Sequence, residues 1–429
     1  MEKYKKIKGL ENVLNDTADL KNEMGAAGIE PIMKEAEQTM QQFIDRLRNL
    51  EESKDHQHEP EVLTTIERLY RQSHQRRDID EGEYMRRLKG AMFGRFAGCS
   101  LGAPVEFATM EQMELLSTIL QSPFPPTHYW KEAPQAYIPR YSVGFAKEFT
   151  LNNIAFLSPD DDIIYTFISL LTLEEYGANF TTEDIATIWQ KYIPEECTFT
   201  AERAVIDNLK AGMSLPEATL HNNPYINWIG GYIRCDGYGY VNPLNPVQAA
   251  SMAYRDAFLT HRMSGLYSAM YFAIVISLSF DDKPLKDIFT EALQYMPPKS
   301  SFYKTVEWAL QVSDQATDYR SAVALVREKF DHLSPVHSEN NACLTIFGAL
   351  IGEHDFTKGI GHTVAMGFDN DCTAATVGSI LGAHLGIDQI NPEWYKHWNN
   401  RAKTYLKGIP WLELDDVLNR FNSVRKKMN

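Results

Sequence analysis

The sequence predicts an all-α fold, on three observations. From Asp162 onward the chain is a succession of apolar repeats at spacings of three and four, the period of a helix buried along one face. Alternating apolar and polar runs, the mark of half-buried strands, are nearly absent. Two stretches carry small residues every fourth position, Gly90, Gly94, Gly98, Gly102 and Ala374, Gly378, Gly382, Gly386, which place one small stripe on each of two helices.

In chain order, residues 1–84 read as a helical extension. Met33, Ala36, Met40, Phe43, Ile44, Leu47 and Leu50 share one helical face, and Val62, Leu63, Ile66, Leu69 and Tyr70 mark a second amphipathic helix. The polar stretch 51–60 between them reads as a linker, and nothing in 1–84 looks catalytic. Residues 85–429 then form the main domain. Glycine costs roughly 1 kcal/mol relative to alanine inside a helix, so four on one face require a packing reason. A close crossing with the second small stripe supplies it. If the two helices run antiparallel, that crossing brings Glu106 to the Asp369 end.

Residues 122–145, with Pro123, Pro125, Pro126, Pro134 and Pro139 among Tyr129, Trp130, Tyr137 and Tyr141, read as a long loop, either a lid or a rigid wrap. Helices are expected over 162–176, 183–193, 201–212, 246–261, 264–280, 284–295, 302–316, 319–330, 340–352, 356–366, 373–386 and 413–427. The uncharged run Met263 to Phe280 is barely long enough to span a bilayer and is expected to be a buried central helix.

The 429 residues suffice for a large core, and 44% hydrophobic with 23% charged residues is ordinary for a globular protein. A net charge of -15 argues against a nucleic-acid backbone as the main partner. It does not exclude a small anion, because bound cations reverse the local field. Five scattered cysteines without a paired motif fit a reducing compartment, so a cytoplasmic location without membrane attachment is expected.

Two acidic clusters carry the chemistry. Ser158-Pro159-Asp160-Asp161-Asp162 precedes one apolar helix, and Asp369-Asn370-Asp371-Cys372 precedes the second small-residue helix. One acid suffices for a helix start. Three in succession repel one another unless water or cations neutralise them, and oxygen ligands select magnesium, calcium or manganese. A glycine-rich and aromatic segment, Trp228 to Pro243, can cradle a planar ring and an anion through Arg234 and Asp236, or be a tight surface connection. His261 is either a ligand contact or a capping or core residue.

Four blocks, Gly90 to Glu106, Asp160 to Tyr176, Trp228 to Tyr267 and His337 to Gly386, together resemble the ADP-ribosylglycohydrolase family, the relatives of dinitrogenase reductase-activating glycohydrolase. The resemblance covers roughly residues 85–390. It implies a compact, orthogonal all-α domain with two magnesium ions, or manganese in their place. It also implies cleavage of the glycosidic bond between ADP-ribose, or a related ribosyl nucleotide, and its acceptor. Carried over by position, it implies metal ligation by Asp160, Asp161, Asp369 and Asp371. Glu106, Asp161 and Asp369 are implied as catalytic, and the Gly230 to Tyr240 segment (Gly231, Asp236, Gly237, Tyr238) with His261 and Tyr267 as lining the substrate. Where many members have Thr-Asp-Asp-Thr, this chain has Pro159-Asp160-Asp161-Asp162, so Ser158 or Asp162 stands in for the missing hydroxyl. Where many have Asp-Thr-Asp-Thr, it has Asp369-Asn370-Asp371-Cys372, which places Cys372 among the ligands.

The expected partner is an ADP-ribosylated protein or a small ADP-ribosyl substrate, with the oligomeric state open. Two other functions fit the same residues: an ADP-ribose-binding protein with altered catalysis, and a metal-dependent nucleotide phosphohydrolase.

Overall fold

The computed structural model describes residues 5–51, 59–71, 77–132 and 146–428. Most of the expected linker at 51–60 and residues 133–145 of the proline-rich segment lie outside them. The chain divides into two units, residues 1–58 and 59–429.

The first unit is a pair of helices, Lys5–Glu23 and Ile29–Arg48. Among its described residues the second is all-α apart from one two-stranded antiparallel ribbon, Arg401–Lys403 with Trp411–Glu413, in which Ala402 faces Leu412. It includes residues 59–84 as well: Ile66 is fully buried, and the Ser301 amide donates to Glu59 Oε1 at 2.8 Å.

The expected helices are present with ends shifted by a few residues, among them Asp161–Tyr176, Met263–Leu278, Ser338–Ile351 and Asn370–Leu385. Met263–Leu278 is the buried central helix, with every residue after Met263 in the interior. Among the described residues no helix is long and apolar enough to cross a membrane.

The architecture turns on one helix crossing. Glu81–Gly102 and Asn370–Leu385 run antiparallel with their small stripes in contact. A Cβ at Gly90 would run into the Gly382 carbonyl oxygen, one at Gly94 into that of Gly378, and one at Gly98 into that of Ala374. A Cβ at Gly102 would meet the Cα of Asp371. The glycines therefore set how closely the end of one helix approaches the start of the other, where the acids sit.

One segment differs from expectation. Residues 229–241 do not form an open loop. They make a 3-10 turn, Ile229–Arg234, and a short helix, Asp236–Val241, both largely buried. Their glycines admit neighbours: a Cβ on Gly231 would strike the Gly265 carbonyl of the central helix, and one on Gly237 would strike Ser169 Oγ. The described part of the proline-rich segment is pinned inward. The Tyr129 hydroxyl donates to the Trp394 carbonyl at 2.6 Å, and Trp130 Nε1 to that of Leu101 at 3.0 Å.

Candidate metal centre

The helix crossing delivers Asp371 to the end of the glycine helix. The turn Ala103–Val105 follows and presents Glu106. Asn370 secures this junction, its Nδ2 donating to the carbonyls of Val105 and Val364, each at 3.2 Å. Asp369 occupies the N-cap position, yet its carboxylate accepts no capping hydrogen bond. The second cluster comes from the start of Asp161–Tyr176. Leu157, just before it, is held by the ribbon: its amide donates to the Arg401 carbonyl at 2.8 Å, and its carbonyl accepts from the Lys403 amide at 2.9 Å. Asp160 caps its own helix through the Asp162 amide at 3.0 Å.

The two clusters meet. Three groups of side chains, each offering ligand atoms within 4.8 Å of one another, run side by side: Cys99, Asp160, Asp162; then Asp162, Asp371, Cys372; then Glu106, Asp369, Asp371. Asp162 belongs to the first two groups and Asp371 to the last two. Asp161 is in none of them.

Arg95 anchors this assembly from behind and is fully buried. Its Nη2 lies 2.9 Å from Asp162 Oδ1, its Nε donates to the Asp162 carbonyl at 2.9 Å and to Thr166 Oγ1 at 3.0 Å, and its Nη1 lies 2.9 Å from Asp236 Oδ2. One guanidinium thus ties the glycine helix, the first acid cluster and the 229–241 segment together. A planar fork with five donors suits this role as a lysine would not.

The electrostatics are those of acids crowded out of water. Burial, then the charges of Asp369 and Asp160, pushes Glu106 up to about 9. Burial raises Asp162 to about 8 against the opposing pull of Arg95, and raises Asp369 to about 6. Asp161 and Asp371 are driven well above the usual carboxylate range by burial and by the neighbouring acids. Asp162 Oδ2, Asp369 Oδ1 and Asp371 Oδ1 are buried and receive no hydrogen bond. A buried carboxylate oxygen without a donor is costly, and divalent cations satisfy several such oxygens at once. The donor set therefore fits a metal centre of mainly hard oxygen ligands.

Of the other residues expected in the site, Ser158 is buried and its hydroxyl donates to Glu148 Oε2 at 3.2 Å. The expected substrate contacts lie in the interior. Asp236 is committed to Arg95. The buried Tyr238 donates to Asp256 Oδ2 at 2.7 Å, and the buried Tyr267 to the Pro60 carbonyl at 2.8 Å. Their rings are covered, so neither is free to stack on a base. His261 is fully buried, with Nδ1 2.7 Å from Thr260 Oγ1. Arg234, read as half of an anion cradle, is instead buried between Glu202 and Asp256. These residues are held by partners on elements whose proximity no spacing revealed. Arg95 and Cys99 were missed for the same reason, the only hint being their place on the helix whose glycines demanded a close crossing.

One solved chain, described as an ADP-ribosylglycohydrolase-related protein complex, is similar over 81% of this chain and 100% of that chain, at 18% identity and a TM-score of 0.47. No curated protein matches significantly. The family model for ADP-ribosylglycohydrolase matches residues 80–424, a span that holds both acidic clusters and the helix crossing that joins them. By that match the chain belongs to the ADP-ribosylglycohydrolase family.

Proposed function

We propose that the protein hydrolyses the glycosidic bond between ADP-ribose, or a related ribosyl nucleotide, and an acceptor on a protein or small molecule, using magnesium or manganese. One observation carries the reading: Asp162 and Asp371, from clusters far apart in the sequence, bring ligand atoms within 4.8 Å of each other. Membership of a glycosidase family whose members use divalent metals supports it.

Glu106, Asp369 and Asp371 form the all-oxygen group and are the residues assigned to hold the hard cation. Bound there, the cation supplies Lewis-acid polarisation and neutralises the crowded acids. Glycosidic cleavage passes through an oxocarbenium-like sugar, which nearby carboxylates stabilise. Glu106 is half-buried where Asp369 and Asp371 are buried, so it is the acid of its group open to a ligand. Its role is to exchange a proton with water or with the leaving atom. Asp369, whose Oδ1 has no donor, and Asp161, half-buried between Asp160 and Asp162 in the chain, are assigned to orient the sugar and the incoming water.

The test is hydrolysis of ADP-ribosyl-arginine and ADP-ribosyl-serine with and without magnesium, comparing wild type with Asp371→Ala. Metal-dependent release of ADP-ribose, abolished in the variant, is the expected result. A variant that stays fully active without metal overturns the reading.

A further inference from the structure

The three ligand groups are not alike. Glu106, Asp369 and Asp371 offer oxygen only, whereas both groups sharing Asp162 contain sulfur: Cys99 from the glycine helix in one and Cys372 from the opposing helix in the other. The two thiols approach the same carboxylate from two elements that only the helix crossing brings together. Asp162 Oδ1 faces Arg95, while its buried Oδ2 has no donor. Arg95 thus fixes the carboxylate so that one oxygen remains free for a ligand, as residues behind a metal site commonly do.

We propose that the centre has two unlike kinds of cation position: a hard one at Glu106, Asp369 and Asp371 for magnesium or manganese, and a mixed sulfur–oxygen kind on Asp162, formed with Asp371 and Cys372 on one side and with Asp160 and Cys99 on the other, that takes a borderline divalent ion of the zinc, iron or cobalt type.

The chemistry of the donors supports the division. Thiolate selects borderline and soft ions, whereas magnesium takes oxygen almost exclusively. Metal–sulfur bonds of about 2.3 Å and metal–oxygen bonds of about 2.0 Å hold ligand atoms roughly 3–4.5 Å apart around one ion, and within each of the two sulfur-containing groups the ligand atoms lie within 4.8 Å of one another, which accommodates this. Binding requires each ligating thiol to release its proton to solvent, leaving a thiolate that donates an electron pair to the ion, with no redox change. Asp371, shared between the middle and the oxygen-only groups, would be a ligand common to both kinds of position.

The inference rests on the metal reading above, but its test is spectroscopic and independent of turnover. The full chain is purified anaerobically, stripped with chelator and titrated with cobalt(II). A thiolate-to-cobalt charge-transfer band is expected in the near ultraviolet. It should weaken in Cys99→Ser and in Cys372→Ser, vanish in the double variant and persist in Cys343→Ser. Excess magnesium should leave the band in the wild type unchanged. Absence of the band, or its survival in the double variant, overturns the proposal. Should the double variant not fold, X-ray absorption on the wild-type zinc form decides: sulfur at about 2.3 Å supports the proposal, and an oxygen-only shell overturns it. A cobalt band without ADP-ribosyl hydrolysis would sink the proposed function and leave this inference standing.

Discussion

Arg95 and Asp162 are buried against each other, with Nη2 2.9 Å from Oδ1 and neither side chain exposed. Because Asp236 takes Nη1 of the same guanidinium at 2.9 Å, removing Arg95 strands two buried carboxylates. Breaking a buried pair from one side costs about 3–5 kcal/mol. Arg95→Met is expected to lose stability on that scale in a urea titration. Arg95→Lys keeps a charge but not the fork, so its main effect should be a 10–100-fold loss of metal affinity by calorimetry. Equal metal affinity in Arg95→Lys and wild type would show that the guanidinium does not orient Asp162.

The helix crossing predicts a contrast between glycines. Gly98→Ala places a methyl against the Ala374 carbonyl, so the helices must move apart. A cost of about 1–3 kcal/mol is expected from overpacking, together with weaker metal binding, because Gly102 and Asp371 lie at the same contact. Gly9, within the Lys5–Glu23 helix, has nothing within 4 Å of its would-be Cβ. Gly9→Ala should leave the protein unchanged or more stable by up to about 1 kcal/mol. Thermal melts of the two variants, with and without metal, check both statements.

How legible each feature was in the sequence follows the same physics. The long helices were readable because burial on one face imposes a period near 3.6 on the chain itself. The crossing was readable because four glycines on one helical face make sense only against another backbone, and an antiparallel pairing brings Glu106 to Asp369. The 229–241 segment was misread as a loop. Its glycines look like turn residues locally, and only the central helix, which needs Gly231 and Gly265 to approach, makes them helical packing residues. Arg95 and Cys99 carried no local signal, since their significance depends on Asp162, 67 and 63 positions away.

Metal should act as a structural ligand of the crowded acids. With no cation, Asp162 Oδ2, Asp369 Oδ1 and Asp371 Oδ1 remain buried without donors, and the acids oppose one another. Magnesium or manganese at about one hundred times its dissociation constant is expected to stabilise the chain by roughly 2.7 kcal/mol, seen as a rise in melting temperature that chelator reverses. Asp371→Ala deletes a ligand shared by two of the three groups and should abolish most of this rise. An undiminished rise in that variant would place the ion elsewhere.

His261 sets an acid limit on stability, and the direction follows from its surroundings. It is fully buried, its Nε2 has no partner, and burial followed by the charges of Arg234 and Arg262 holds it well below the ordinary histidine range. The facing acids are already engaged: Glu202 pairs with Arg234, and Glu61 lies 3.5 Å from Arg262. The unfolded chain takes up a proton at this residue near pH 6.5, and the folded chain does not. Below that pH the unfolded state therefore binds more protons, and stability falls as pH falls, by up to about 1.4 kcal/mol per pH unit from this group. Above it the residue contributes no pH dependence. His261→Leu should cost stability at neutral pH through altered packing, yet the gap to wild type should narrow steadily as the urea midpoints are measured from about pH 7 down to about pH 5. Parallel curves through that range would mean that His261 takes its proton in the folded protein after all.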